Sequence, residues 1–240
     1  MAAAASIPSR IRILIADDHQ MFAEALTALL EKNCKVVGLV RDGRELIQRA
    51  IEERPDVIIV DIAMPLLNGL DAAQKIRRDL PNMKIIFLTM QEDPNLAAAA
   101  MELGPVGFVL KHSAQKELFT ALGRVLHNEA YITPKLKSED WQERAARARQ
   151  FSKELSPRQR EIVQMCAEGR TLKEIAAVLN LSEKTVEFHK YHVMSAFNLK
   201  SNADLVLFAL KHNLIKINSD PWPATGAPNS SYKRAHAFGC

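Results

Sequence analysis

The chain has 240 residues, 48% hydrophobic and 25% charged, with a formal net charge of +4 at pH 7. That length suits two ordinary domains, and the composition is that of a globular protein rather than a disordered or fibrous one. No apolar run reaches the roughly 18 residues of a spanning helix, and the cysteines at 34, 166 and 240 are odd in number, far apart and without a CxxC pair, which argues against a disulfide framework or a zinc knuckle.

The first residues, Met1-Ala-Ala-Ala-Ala-Ser-Ile-Pro, lack the basic n-region and long apolar h-region of a signal peptide. With the cysteine usage, this sets the expectation of a reducing cytoplasm and no membrane partner. Residues 1–10 read as a tail. From 11 to 130, apolar runs alternate with amphipathic stretches. The runs at 11–16, 35–40, 57–61, 85–89 and 106–110 are nearly all apolar, as strands buried on both faces should be. Between them lie helical stripes: Phe22, Leu26, Leu29 and Leu30; Leu46, Ile47 and Ala50; Leu70, Ala73 and Ile76; then 96–103 and 118–126. Five βα units in about 120 residues predict an α/β, flavodoxin-like, doubly wound (βα)5 sheet.

Residues 131–152 change character. They are polar and rich in Arg, Ala and Glu, and read as a linker with helical tendency. From 153 to 217 only helical periods appear. Ser156-Pro157 opens one helix and Gly169 ends it; a short helix covers 171–179; Ser182 caps a third; 202–211 forms a fourth. This predicts an all-α four-helix domain. Residues 218–240 are turn-rich and aperiodic, and read as a disordered tail. Charge is uneven: residues 1–130 carry a net −2 and residues 153–217 a net +3, so nucleic acid is a candidate partner for the second half.

In an open parallel sheet the carboxyl ends of the strands share one edge, where ligands bind. Asp17, Asp18, Asp61, Thr89 and Lys111 all stand at such ends. Three carboxylates at one mouth repel unless a cation neutralises them, and oxygen ligands that retain water suit Mg²⁺. A lysine and a threonine suit an anion such as a phosphoryl group. Each residue alone is explained equally well by capping the next helix. The set of five, with the turn Asp61-Ile-Ala-Met-Pro-Leu-Leu-Asn-Gly, is not.

On these residues, positions 11–127 resemble the receiver domain of two-component response regulators. The resemblance implies that Asp61 is the phosphoacceptor, a carboxylate nucleophile. It implies that Asp18, Asp61 and the Ala63 carbonyl hold Mg²⁺ with Asp17 assisting through water, and that Lys111 and Thr89 meet the phosphoryl group while the switch aromatic, Phe108, turns inward. Three departures matter. Phe108 stands where tyrosine is commoner and has no hydroxyl for an outward hydrogen bond. Pro105 stiffens the last loop. Met90 follows Thr89 where a smaller residue is usual, and hinders access to Asp61.

In the second half, Leu179-Asn-Leu-Ser is a short turn of the kind that sets a second helix at a steep angle, as helix-turn-helix domains require. A plain bundle explains the apolar positions except Phe188, Tyr191 and Phe197. The stretches Leu155-Ser-Pro-Arg-Gln-Arg-Glu-Ile-Val, Lys173-Glu-Ile-Ala and Ser182-Glu-Lys-Thr-Val-Glu-Phe-His resemble the LuxR/NarL-type DNA-binding domain. The whole chain is therefore similar to the NarL/FixJ response regulators. By that resemblance Lys184, Thr185, Glu187, Phe188, His189, Lys190 and Tyr191 line the DNA face: Glu187, Phe188 and Tyr191 toward bases, Lys184, His189 and Lys190 toward phosphates. Leu205 and Phe208 become dimer contacts. Glu187 remains either a cytosine-reading acceptor or a solvated surface charge. His189 and His192 are a weak metal pair, with no carboxylate-and-cysteine set beside them. Thr171-Leu172 replaces the usual Ser-Asn and puts one capping contact in question.

The expectation is a transcriptional regulator that takes a phosphoryl group from a sensor histidine kinase on Asp61, uses Mg²⁺, and binds double-stranded promoter DNA as a homodimer. An aspartyl-phosphate phosphatase is disfavoured, because it wants a second aspartate two residues after Asp61, where Ala63 stands. A protein-binding helical half is the remaining rival, distinguished by salt-dependent DNA binding.

Overall fold

The computed structural model describes residues 11–136, Glu143 and residues 154–216. The tail at 1–10, linker positions 137–142 and 144–152, and the segment beyond 216 lie outside the described residues, and with them the tail readings and most of the linker reading.

The first half forms one parallel sheet in the order β2-β1-β3-β4-β5-β6. Its strands are β1 (Arg12–Ala16), β2 (Lys35–Val40), β3 (Val57–Asp61), β4 (Lys84–Thr89), β5 (Gly107–Leu110) and β6 (Tyr131–Ile132). The sixth strand departs from the five-strand expectation. Two residues are too few for any alternation to show, and the pairing Gly107↔Tyr131 and Phe108↔Ile132 extends the sheet into what reads as linker.

Helices α1 (Gln20–Leu30), α2 (Gly43–Glu53), α3 (Gly69–Asp79), α4 (Pro94–Met101) and α5 (Ala114–Leu126) cover the two faces. Successive strand residues point to opposite faces, so the sheet has two cores. Leu14, Ile58, Val60, Ile85, Phe87 and Phe108 pack under α2, α3 and α4 through Leu46, Ala73, Ile76 and Leu96. Ile13, Ile15, Ile59, Leu88 and Val109 pack under α1 and α5 through Leu26, Leu30, Leu118 and Leu122. The crossover between β1 and β3 opens the crevice in which ligands of such sheets sit.

The second half is helical: α6 (Pro157–Ala167), α7 (Leu172–Leu179), α8 (Glu183–Ala196) and α9 (Asn202–Lys211). Its starts are chemically specified. Ser156 with Gln159, Thr171 with Glu174 and Ser201 with Asp204 form full capping boxes, and Ser182 accepts from the Thr185 amide. The capping contact questioned at Thr171 is therefore made by the threonine hydroxyl. Asn180 ends α7 in the left-handed region at φ 53, which asparagine tolerates, and so closes the short turn between α7 and α8.

Candidate functional site

Asp17, Asp61, Thr89 and Lys111 are buried at the carboxyl edge of the sheet, and Asp18 is half-buried beside them. The ammonium of Lys111, only 6% exposed, lies 2.7 Å from Asp17 Oδ2 and 2.8 Å from Asp61 Oδ2. The same ammonium lies over the Phe22 ring, 4.7 Å from its centroid, a cation–π contact. Asp61 Oδ1 accepts from the Ala63 amide at 3.2 Å, and Asp17 Oδ1 from the His19 amide at 2.9 Å. Burial and then the neighbouring Asp61 charge push the Asp17 carboxyl above its ordinary range, against the pull of Lys111. Thr89 Oγ1 accepts from the Gln91 amide at 3.1 Å.

His19 joins the cluster, which the sequence reading passed over. Its Nδ1 is 2.9 Å from Asp18 Oδ1 and 3.3 Å from Asp17 Oδ1. Among the described residues, Asp17, Asp18, His19 and Asp61 bring one ligand atom each within 4.8 Å of one another. With three carboxylates, the set suits a hard divalent cation such as Mg²⁺ or Mn²⁺. His189 and His192 lie outside it, and His192 Nδ1 instead meets Gln159 Nε2 at 3.1 Å.

The loop after Asp61 is built for close approach. A Cβ at Gly69 would sit 2.1 Å from the Asp61 carbonyl oxygen. Gly69→Ala must therefore displace α3 or the end of β3. The expected cost is on the order of 2–3 kcal/mol, with slower phosphoryl labelling; an unchanged melting temperature would show that this packing is not rigid.

Phe108 is fully buried, with its ring 6.5 Å from that of Phe87 at 42°. The ring is thus already inward, in the core under α4. Met90 is 64% exposed at the end of β4. Arg77 straps the loop at Pro105, donating to the Leu103 and Pro105 carbonyls.

On α8, Val186 and Val193 face inward, while Glu187, Phe188 and Tyr191 face out, the last two 64% and 73% exposed. Lys184 is exposed as well. Thr185 is engaged with Ser182 at the cap, and Lys190 Nζ donates to Asn202 Oδ1 at 2.8 Å. Lys190 and His189 are half-buried. The Phe188 ring also meets the rings of His189 and His192, at 5.7 and 6.3 Å between centroids, so the outward face of α8 is a cluster of rings flanked by Tyr191.

Leu205 and Phe208 are not surface residues. Both are buried in the core of the second half with Leu155, Val163, Val193 and Leu214. The helical period allows two apolar faces on α9, and the bundle takes this one. The face left outward carries Ala203 and Leu207, flanked by the half-buried Val206 and Leu210.

The two halves dock, which sequence reasoning did not foresee. Gln164 of α6 is buried against the β3–α3 loop: its Oε1 accepts from the Asn68 amide and its Nε2 donates to the Met64 carbonyl, both at 2.9 Å. The Glu168 carboxylate accepts from the Leu66 amide at 3.2 Å, and burial raises its carboxyl above the usual range. Arg160 pairs with Asp71, and the buried Glu161 with Arg44 and Lys75. Farther on, Asn213 Nδ2 donates to Asp93 at 2.9 Å, and Lys216 Nζ lies 3.2 Å from Asp18 Oδ1 and 3.7 Å from Asp61 Oδ2.

Comparisons agree with this two-part architecture. Residues 13–123 match the response regulator receiver domain family, and residues 153–209 match the bacterial regulatory proteins of the luxR family. The oxygen regulatory protein NreC of Staphylococcus epidermidis is 36% identical over 217 residues, spanning 86% of this chain and all of that protein. NreC of Staphylococcus carnosus is 35% identical over 215 residues, 85% of this chain and 99% of that one. Among solved structures, the Salmonella typhimurium RcsB response regulator superposes with a TM-score of 0.58 at 28% identity, covering 85% of this chain and 98% of the other. A structure of two RcsB dimers bound to two parallel DNAs gives 0.50 at 28% identity, over 83% and 97%. With both halves matched and the order of strands, helices and acidic strand ends in place, this chain belongs to the response regulators with a LuxR-type DNA-binding domain, the NarL/FixJ type.

Proposed function

We propose that a sensor histidine kinase phosphorylates Asp61 and that the phosphorylated chain binds promoter DNA as a homodimer in the cytoplasm. The carrying observation is the buried Asp61 carboxylate held between Lys111 and the Ala63 amide at the sheet edge, on a chain whose α8 turns Phe188 and Tyr191 to solvent. One Asp61 oxygen forms a bond to phosphorus as the P–N bond of the kinase phosphohistidine breaks, and the imidazole leaves with the electron pair. Lys111 and Thr89 supply an ammonium and a hydroxyl to the phosphoryl oxygens. Asp17, Asp18, Asp61 and the Ala63 carbonyl are the residues that would hold Mg²⁺. When bound there, the cation neutralises the carboxylates and shields the incoming phosphoryl oxygens.

For DNA, α8 is the element that enters the major groove. Phe188, Tyr191 and Glu187 stand toward bases; Lys184, Thr185, His189 and Lys190 stand toward the backbone. The likeness to RcsB, solved as DNA-bound dimers, supports dimeric binding. Among the described residues no helix is long and apolar enough to cross a membrane.

The test is to treat the full chain with a small acyl phosphodonor and Mg²⁺, then titrate duplex DNA at several salt concentrations. One phosphoryl group per chain and tighter, salt-dependent DNA binding are expected. No label and salt-independent binding would defeat the reading. The α8 assignment has its own check. Lys190→Ala should weaken binding to all sequences and lower the salt slope by about one, whereas Tyr191→Ala should shift the preferred sequence. If neither substitution alters binding, another surface meets DNA.

A further inference from the structure

The pocket holds a cation that belongs to the other half of the chain. Lys111 is already paired with Asp17 and Asp61, which leaves Asp18 as the carboxylate without a lysine from the receiver. Lys216, just past α9, fills that role: its Nζ lies 3.2 Å from Asp18 Oδ1 and 3.7 Å from Asp61 Oδ2. These are two of the carboxylates to which the divalent cation is assigned above. Mg²⁺ binds oxygen at about 2.1 Å and keeps several waters. An ammonium and a hydrated dication cannot share the space between the same two oxygens.

The lysine does not arrive alone. Asn213, three residues earlier, is tied to Asp93 in the loop that follows Thr89, so the segment lies across the pocket mouth. On the other side, Gln164 and Glu168 fix the amides of Asn68 and Leu66 in the loop that follows Asp61. Leu66 is held there at φ 65, a left-handed conformation that a leucine seldom adopts without outside support. Meanwhile Phe188 and Tyr191 stay exposed on α8. The docking therefore acts on the phosphorylation pocket and leaves the DNA-reading face open.

We propose that Lys216 is a built-in competitor of the divalent cation, so that metal binding and docking of the DNA-binding domain oppose each other. The proposal rests on the reading of Asp17, Asp18 and Asp61 as the metal site. By reciprocity, whatever the docked lysine costs the metal, the metal costs the docking. Loading the pocket with metal, before any phosphoryl transfer, then loosens α6 from the β3–α3 loop.

The test compares the full chain with Lys216→Met, which keeps a stem of similar length and removes the charge. Mn²⁺ binding, followed by paramagnetic resonance without phosphodonor, should tighten roughly tenfold in the variant, within the usual range of coupling between sites. In the unaltered chain, saturating Mg²⁺ should speed hydrogen exchange at the Leu66 and Asn68 amides. Equal, measurable Mn²⁺ affinity in the two proteins overturns the competition while leaving the metal site standing. Exchange at both amides that saturating Mg²⁺ does not move overturns the link to docking. Absence of Mn²⁺ binding in both proteins removes the metal site itself, and the proposal with it.

Discussion

Asp61→Asn leaves the chain folded and takes no phosphoryl group. The side chains have the same shape, so the packing of β3 against β4 and the Ala63 amide contact to the side-chain oxygen survive. Lys111 does not become an orphaned buried charge, because Asp17 Oδ2 remains 2.7 Å away. Removing one carboxylate also relieves repulsion on Asp17, whose carboxyl is pushed up in part by Asp61. Stability should thus stay within about 1 kcal/mol of the parent, with any change toward greater stability. Chemistry is lost outright: an amide oxygen is a poor nucleophile, and the carboxylate is the only atom group at that position able to form the acyl phosphate. Thermal melting and intact-mass labelling with a small phosphodonor check both halves. Labelling of the variant at the parental level would move the acceptor to another residue.

Much of this pocket was legible in the sequence because its residues are tied to strand ends. Apolar runs fixed the ends of β1, β3, β4 and β5, and the parallel sheet brings those ends to one edge whatever the helices do. Asp61 and Lys111 are fifty residues apart yet meet at 2.8 Å for that reason alone. His19 was missed although it directly follows Asp17-Asp18, since a polar residue at a helix start looks like any other.

The docking face was invisible for a different physical reason. Arg160, Glu161 and Gln164 are buried in the structure, but burial of a polar residue leaves no mark in a hydrophobic pattern. On α6 they look like the solvated side of an amphipathic helix. Only their partners reveal them: Asp71 for Arg160, Arg44 and Lys75 for Glu161, the Asn68 and Met64 backbone for Gln164. Those partners lie about a hundred residues away, beyond any local period. Lys216 is legible neither from period nor from spacing, because it follows the last helix and matters only through where the domain docks.

The final helix shows the limit of period reading most sharply, and it carries the second large expected effect. Leu205 and Phe208 share one face of α9 and Leu207 and Leu210 another, and spacing cannot say which face turns inward. The structure decides: Leu205 is 1% exposed and Leu207 is 65% exposed. Leu205→Asp therefore should not act as a dimer mutant. It removes a buried leucine, worth about 2–5 kcal/mol when truncated, and forces a carboxylate among Val193, Phe208 and Leu214 at a further cost of several kcal/mol. A helical domain of this size has a net stability of similar magnitude, so DNA binding should vanish at every protein concentration with a lost helical melting transition. Phosphoryl labelling should persist, since the receiver cores are built from other residues. Leu207→Asp should instead keep the melt within about 0.5 kcal/mol and lower DNA affinity through a weaker dimer, an effect that added protein reverses. Sedimentation, melting and DNA titration of the two variants distinguish these outcomes. A folded, monomeric Leu205→Asp beside an unfolded Leu207→Asp would mean that α9 packs on its other face.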